Sequence, residues 1–177
     1  MLFRSHALSL DKVVLMVAND PWQKTGARGV TAAPDRLAMV KAAVRGLDGV
    51  EAGDDEIRRG GPSYTADTLK MLGIKFPGAR FFTIVGDDAA TNIVTWERVD
   101  EVAALSTLVV VDRPGSPVDL PSGFDWRRVE VPHLEVSSTD LRCRVTDGRP
   151  LDYLVPDAVV KIIRDRGLYG LRVGAQL

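Results

Sequence analysis

Residues 80–88 read "RFFTIVGDD", and the fold turns on how that stretch is understood. Its middle is a nearly unbroken apolar run, where a strand with one wet face would alternate polar and apolar residues. A run of this kind suits a strand buried on both faces, the usual situation in a parallel sheet covered by helices. The run stops at Gly86 and is followed at once by two aspartates, Asp87 and Asp88. The same texture appears in "DKVVLMVAN" (11–19) and in "STLVVVDRPG" (106–115), which a Pro-Gly turn closes. "RRVEVPHLEV" (127–136) is a further strand candidate broken at Pro132, and "GVEAGDDEI" (49–57) is a weaker one.

Between these runs the apolar period lengthens to that of a helix. "APDRLAMVKAAVRGL" (33–47) places Leu37, Val40, Ala43, Val44 and Leu47 on one face, with Pro34 suited to the first turn. "SYTADTLKMLGIKF" (63–76), with Ser63 or Thr65 able to cap it, and "WERVDEVAAL" (96–105) are also helical. Two more helices are expected from near Ser138 and near Pro156. Strands alternating with helices predict an α/β chain, a Rossmann-like parallel sheet with helices on both faces. Ligands bind such sheets beyond the carboxyl ends of the strands. The stretches that matter are then 19–24, 86–88, 112–113 and 136–142.

The totals narrow the function. With 177 residues, 45% of them hydrophobic, the chain suits a single domain with a full core. Lys plus Arg number 23 against 24 Asp plus Glu, which disfavours nucleic acid held by bulk charge. The lone Cys143 excludes an internal disulfide and a cysteine zinc cluster, and is read as packing. His6 and His133 form no metal motif, so no metal ligand is assigned; His133 reads as structural. No apolar run reaches the roughly 20 residues of a membrane span. A cytoplasmic, reduced setting is expected. No repeat or linker stands out.

Each strand-end stretch admits two readings. "NDPWQK" (19–24) is a surface loop with a buried tryptophan, or Lys24 reaches an anion there. "RRGGPSYTADTL" (58–69) is a tight turn before a capped helix, or glycines that let a ligand approach the backbone. In "VGDDAATNIVTW" (85–96), Asp87 or Asp88 caps the next helix, or a carboxylate takes a ribose hydroxyl or Mg²⁺. In "VSSTDLR" (136–142), Ser137 and Asp140 fit an S-x-x-D capping pattern. One cap needs one hydroxyl, however, and here three stand before an arginine, a set able to surround phosphate.

Taken in order, "NDPWQK", "GGPSYTADTL", "VGDDAATNIVTW", "DRPG", "SSTDLR" and "DYLVPDAVVKIIRDRGLY" resemble bacterial nicotinate-nucleotide adenylyltransferases, of the nucleotidyltransferase superfamily. The likeness runs from about Leu10 to Tyr169. It implies a nucleotidyltransferase fold and adenylyl transfer from ATP to nicotinate mononucleotide in NAD synthesis, with Mg²⁺ accompanying ATP. It implies that Ser137, Ser138, Thr139 and Arg142 hold the ATP phosphates, and that Gly86 and Asp88 handle ribose and nucleotide. It implies a nicotinate pocket at Tyr64, Thr65 and Trp96, and Lys24 near phosphate, with Lys24 and Arg142 the catalytic pair. Small-molecule substrates are the implied partners, with neither nucleic acid nor membrane; oligomeric state is not legible.

The resemblance departs at the start. The family pattern opens on a glycine-rich strand leading to H-x-G-H, and nothing in the 177 residues matches it. About thirty residues, one β-α unit, are expected to be missing ahead of Met1, so the single domain would be N-terminally incomplete. A misassigned start, a fragment, or loss of the motif would each produce this. A second reading therefore stands beside the enzyme: a nucleotide-binding relative that senses or scaffolds. A third is an adenylyltransferase for another phosphorylated acceptor.

Overall fold

In the computed structural model, which describes residues 7–21, 29–112, 118–131 and 136–170, the apolar runs do form parallel strands. The chain divides into two units, one of residues 1–10 and 61–133, the other of 11–60 and 134–177.

The first unit is built on a three-stranded sheet in the order β3-β4-β5: Phe82–Gly86, Thr107–Asp112 and Trp126–Glu130. Both pairings are parallel, with Val85 opposite Val110 and Val109 opposite Arg127. β4 is the central strand and shows why its sequence does not alternate. Leu108 packs under Ala66 and Leu69 of helix α3 (Thr65–Lys75) and under Val102 of α5 (Val99–Leu105). Its neighbour Val109 packs instead with Leu8 and Val129, alongside Leu10. Val110 meets Val85 and Ala90 of α4 (Asp87–Thr91). Val109 and Val110 are completely buried, so both faces of the strand are dry. Each such side chain contributes about 1.5–3 kcal/mol of burial. Ser106, buried just before β4, donates to the Val102 carbonyl (2.9 Å) and lies 2.6 Å from the Thr83 hydroxyl, so its polar atom is satisfied.

The second unit pairs β1 (Val13–Met16) with β2 (Val50–Gly53), again parallel. A Cβ on Gly53 would lie 2.7 Å from Val14 Cγ1 and 2.8 Å from Met16 Cε, so the close approach requires glycine. Helices α1 (Ala33–Val44), α6 (Ser138–Asp147) and α7 (Asp157–Asp165) share a core of Ala42, Val145, Leu151, Val159 and Ile163. Arg36 reaches from α1 to the carbonyls of Thr31 (2.8 Å) and Asn19 (3.0 Å), which ties the chain just after β1 to the start of α1. Arg166 pairs with Asp35 at 2.5 Å.

Several local expectations give way. The end of "GVEAGDDEI" is not strand: after Gly53 the chain forms a short helix, α2 (Asp55–Arg59). Its acids lie in the first turn and Arg58 and Arg59 in the last, matching the helix dipole. Neither Ser63 nor Thr65 caps α3; its N-cap is Tyr64, without a side-chain bond. Cys143 is exposed rather than packed. His6 and His133 lie outside the described residues. Among the described residues, no helix is long and apolar enough to cross a membrane.

Candidate functional site

In the second unit, α6 begins where "VSSTDLR" forecasts a helix start, and Ser137 is its N-cap. The Ser137 Oγ accepts the Asp140 amide N–H at 3.0 Å. The capping pattern is only half used, because the Asp140 carboxylate turns away to Arg144 Nε (2.7 Å) and Arg149 (3.6 Å). The hydrogen bond from Arg144, with the charges of Arg144 and Arg149, holds the Asp140 carboxyl below its usual pKa. Ser138 and Thr139 are exposed, and among the described residues neither hydroxyl is hydrogen-bonded. The amide N–H groups of these two residues are first-turn donors that the helix itself cannot satisfy.

Arg142 lies one turn further along α6 and is exposed. Its guanidinium sits 5.5 Å from the centroid of the Tyr169 ring, and no carboxylate among the described residues pairs with it. The α6 start therefore gathers Ser137, Ser138, Thr139 and Arg142: three hydroxyls, with two amides unspent and one cation unneutralised among the described residues. Such a set can hold phosphate oxygens.

In the first unit, Gly86 is the N-cap of α4, and a Cβ there would meet nothing within 4 Å. Asp87 and Asp88 stand in the first turn rather than at the cap, so the capping alternative does not hold. Asp88 is exposed, and its carboxylate has no partner among the described residues. A carboxylate so placed can accept from a ribose diol.

Trp96 follows a 3₁₀ turn (Ile93–Thr95) and is half-buried. It packs with Ala66 and Ile93 in one apolar cluster and with Val85 and Ala90 in another. The ring thus links the start of α3, where Tyr64 and Thr65 lie, to the β3–α4 turn of Gly86 and Asp88. Tyr64 and Thr65 are partly buried. Sequence reasoning missed the group that sits over Tyr64: Arg98, whose guanidinium is 5.8 Å from that ring and 2.6 Å from Asp67. Arg98 is the N-cap of α5, held at φ 55°, ψ 46°. A left-handed arginine has no signature that sequence patterns reveal. Tyr169, whose ring lies by Arg142, was also missed; it ends a resembling segment, but its contact crosses 27 residues of chain (169 − 142).

Lys24 and Arg113, which follow β1 and β4 in sequence, lie outside the described residues. No three His, Cys, Asp or Glu side chains cluster as a metal site among those that are described.

Residues 3–144 match the family described as Cytidylyltransferase-like, a span that includes parts of both units. A probable nicotinate-nucleotide adenylyltransferase of Corynebacterium kroppenstedtii is 41% identical over 165 residues, covering 91% of this chain and 78% of that protein. One of Streptomyces coelicolor is 44% identical over 163 residues, covering 90% of this chain and 86% of the relative. Among solved structures, the Plasmodium falciparum nicotinic acid mononucleotide adenylyltransferase complexed with NaAD aligns over 96% of this chain and 92% of its own. Its TM-score is 0.71 at 15% identity, a likeness of fold: the α/β nucleotidyltransferase fold that the family resemblance implied.

Proposed function

The chain belongs to the nicotinate-nucleotide adenylyltransferase family, and we propose that it joins the adenylyl group of ATP to nicotinate mononucleotide on the route to NAD. A phosphate oxygen of the mononucleotide attacks the α-phosphorus of ATP. The bond from that phosphorus to the oxygen bridging to the β-phosphorus breaks, and pyrophosphate leaves with the electron pair. Nicotinate adenine dinucleotide is the other product. A phosphomonoester is itself an adequate nucleophile, so no covalent enzyme intermediate is needed. Catalysis then rests on positioning and on stabilising charge that moves toward the leaving pyrophosphate.

One observation carries the reading. At the α6 start, Ser137 closes the helix cap, and among the described residues the Ser138 and Thr139 hydroxyls have no hydrogen-bond partner and Arg142 has no carboxylate partner. We assign these four residues to the ATP phosphates, with Lys24 beside them, and Arg142 and Lys24 to charge stabilisation. Gly86 and Asp88 are assigned to the ribose and nucleotide. Tyr64, Thr65 and Trp96 are assigned to the pyridine ring, Trp96 offering an edge or face for stacking.

Mg²⁺ fits as a companion of the triphosphate. The ion commonly binds through one or two carboxylates plus substrate phosphates rather than in an all-protein cage. Among the described residues, Asp88, in the first turn after β3, has a carboxylate without a partner that suits this role. When bound, the ion would supply charge neutralisation along the triphosphate. The chain is read as one nucleotidyltransferase-like domain in the cytoplasm, with ATP and nicotinate mononucleotide as its partners.

The test is transfer of label. The purified chain is incubated with ATP labelled at its α-phosphate, Mg²⁺ and nicotinate mononucleotide. Label in the dinucleotide supports the proposal. ATP binding without any transfer would support the sensor or scaffold reading, and transfer only to another phosphomonoester would support a changed acceptor.

A further inference from the structure

We propose that Tyr169 is a positioning residue for Arg142: its ring sets the direction of the guanidinium that meets the ATP phosphates. The inference rests on the assignment of Arg142 to those phosphates. An exposed arginine on a helix samples many rotamers, and holding one conformation requires a partner. Carboxylates nearby would do this at the expense of the charge. The α6 region contains such carboxylates but spends them elsewhere: Asp140 on Arg144 and Arg149, and Asp147 on Arg149. Arg142 receives an aromatic face instead, at 5.5 Å. A ring face attracts the cation without neutralising it, and leaves the N–H edges of the guanidinium available to an anion.

Tyr169 is itself firmly placed, as a support must be. It packs against the core of Ala42, Val145, Leu151, Val159 and Ile163. Its hydroxyl donates to Met39 Sδ at 3.8 Å. Its carbonyl accepts from the Thr146 hydroxyl at 3.2 Å, and that hydroxyl is also 3.1 Å from the Arg142 carbonyl. The backbone at Tyr169 is left-handed, φ 60° and ψ 29°. A non-glycine residue keeps such a conformation only when its surroundings fix it.

The experiment measures ATP affinity by calorimetry and acceptor KM by turnover, in the full chain. Tyr169→Leu is expected to weaken ATP binding about two- to fivefold, the range of an exposed cation–π contact. The KM for nicotinate mononucleotide should not move. Tyr169→Phe keeps the ring and should retain wild-type affinity. In an Arg142→Ala background, Tyr169→Leu should have no further effect. Should the leucine variant fold poorly, stepwise fluorination of a phenylalanine at 169 drains the ring face while keeping its shape, and affinity should fall with each fluorine. A flat fluorine series, or equal weakening with and without Arg142, would overturn the role of Tyr169 alone. Wild-type ATP affinity in Arg142→Ala would overturn the assignment of Arg142, and the inference with it.

Discussion

Separate substitutions at Ser137 and Thr139 can divide the cap of α6 from its phosphate-binding role. Ser137 Oγ accepts the Asp140 N–H at 3.0 Å while its own O–H remains a donor. Ser137→Ala removes both functions. Loss of the cap should cost about 1 kcal/mol. In a chain of this size that lowers the melting temperature by about 2–4 °C. Thr139 is exposed and its hydroxyl makes no hydrogen bond among the described residues, so Thr139→Ala should leave stability within about 0.5 kcal/mol. A hydroxyl donating to a charged phosphate is worth at least about 1.5 kcal/mol, so either variant should weaken ATP binding roughly tenfold. Scanning calorimetry reads the first quantity, and titration with a non-hydrolysable ATP analogue reads the second. The expected pattern is a stability loss at Ser137 only and an affinity loss at both. Equal melting losses in the two variants, or unchanged affinity in Thr139→Ala, would refute the division.

Other consequences follow from packing and charge. Leu108→Ala removes a side chain buried on the covered face of β4 and should cost about 2–5 kcal/mol, read from urea unfolding. Gly53→Ala drives a Cβ to 2.7 Å from the stiff Val14 side chain and should cost about 1–3 kcal/mol by the same measurement. Asp140 has a carboxyl pKa below its usual value, first because it accepts from Arg144. Its contribution to stability is therefore complete above the unfolded value of about 4 and is lost as pH falls through the lower folded value. The melting-temperature gap between wild type and Asp140→Asn should be constant near neutral pH and narrow progressively in acid; a gap that does not change with acidification would contradict the ion-pair account.

The parts of the fold legible in the sequence are those where burial on two faces leaves its mark. "STLVVVD" contains β4 because Leu108, Val109 and Val110 each meet a different apolar cluster. Helix α1 follows from its period and from Pro34 in its first turn. Helix α2 was misread because Val50–Gly53 is a real strand and the helix starts two residues later, with only five residues to show a period. Its acids-first, bases-last order was the available signal. At the candidate sites, the order of residue types was legible: hydroxyls then arginine, glycine then aspartates. Their supports were not, since Arg98 over Tyr64 and Tyr169 beside Arg142 depend on left-handed backbone and tertiary packing. The sequence also could not say which half of the S-x-x-D pattern would form; that was decided by Arg144 and Arg149 competing for Asp140.

The central claim is adenylyl transfer to nicotinate mononucleotide, and its most direct test is the rate of pyrophosphate release by the purified 177-residue chain with ATP and Mg²⁺. Three reactions run side by side: with nicotinate mononucleotide, with its amide, and with no acceptor, each repeated in Arg142→Ala. The account predicts release that depends on the acid nucleotide, matches dinucleotide formation mole for mole, and falls sharply in the variant. Release without acceptor, or none while ATP still binds, would contradict it.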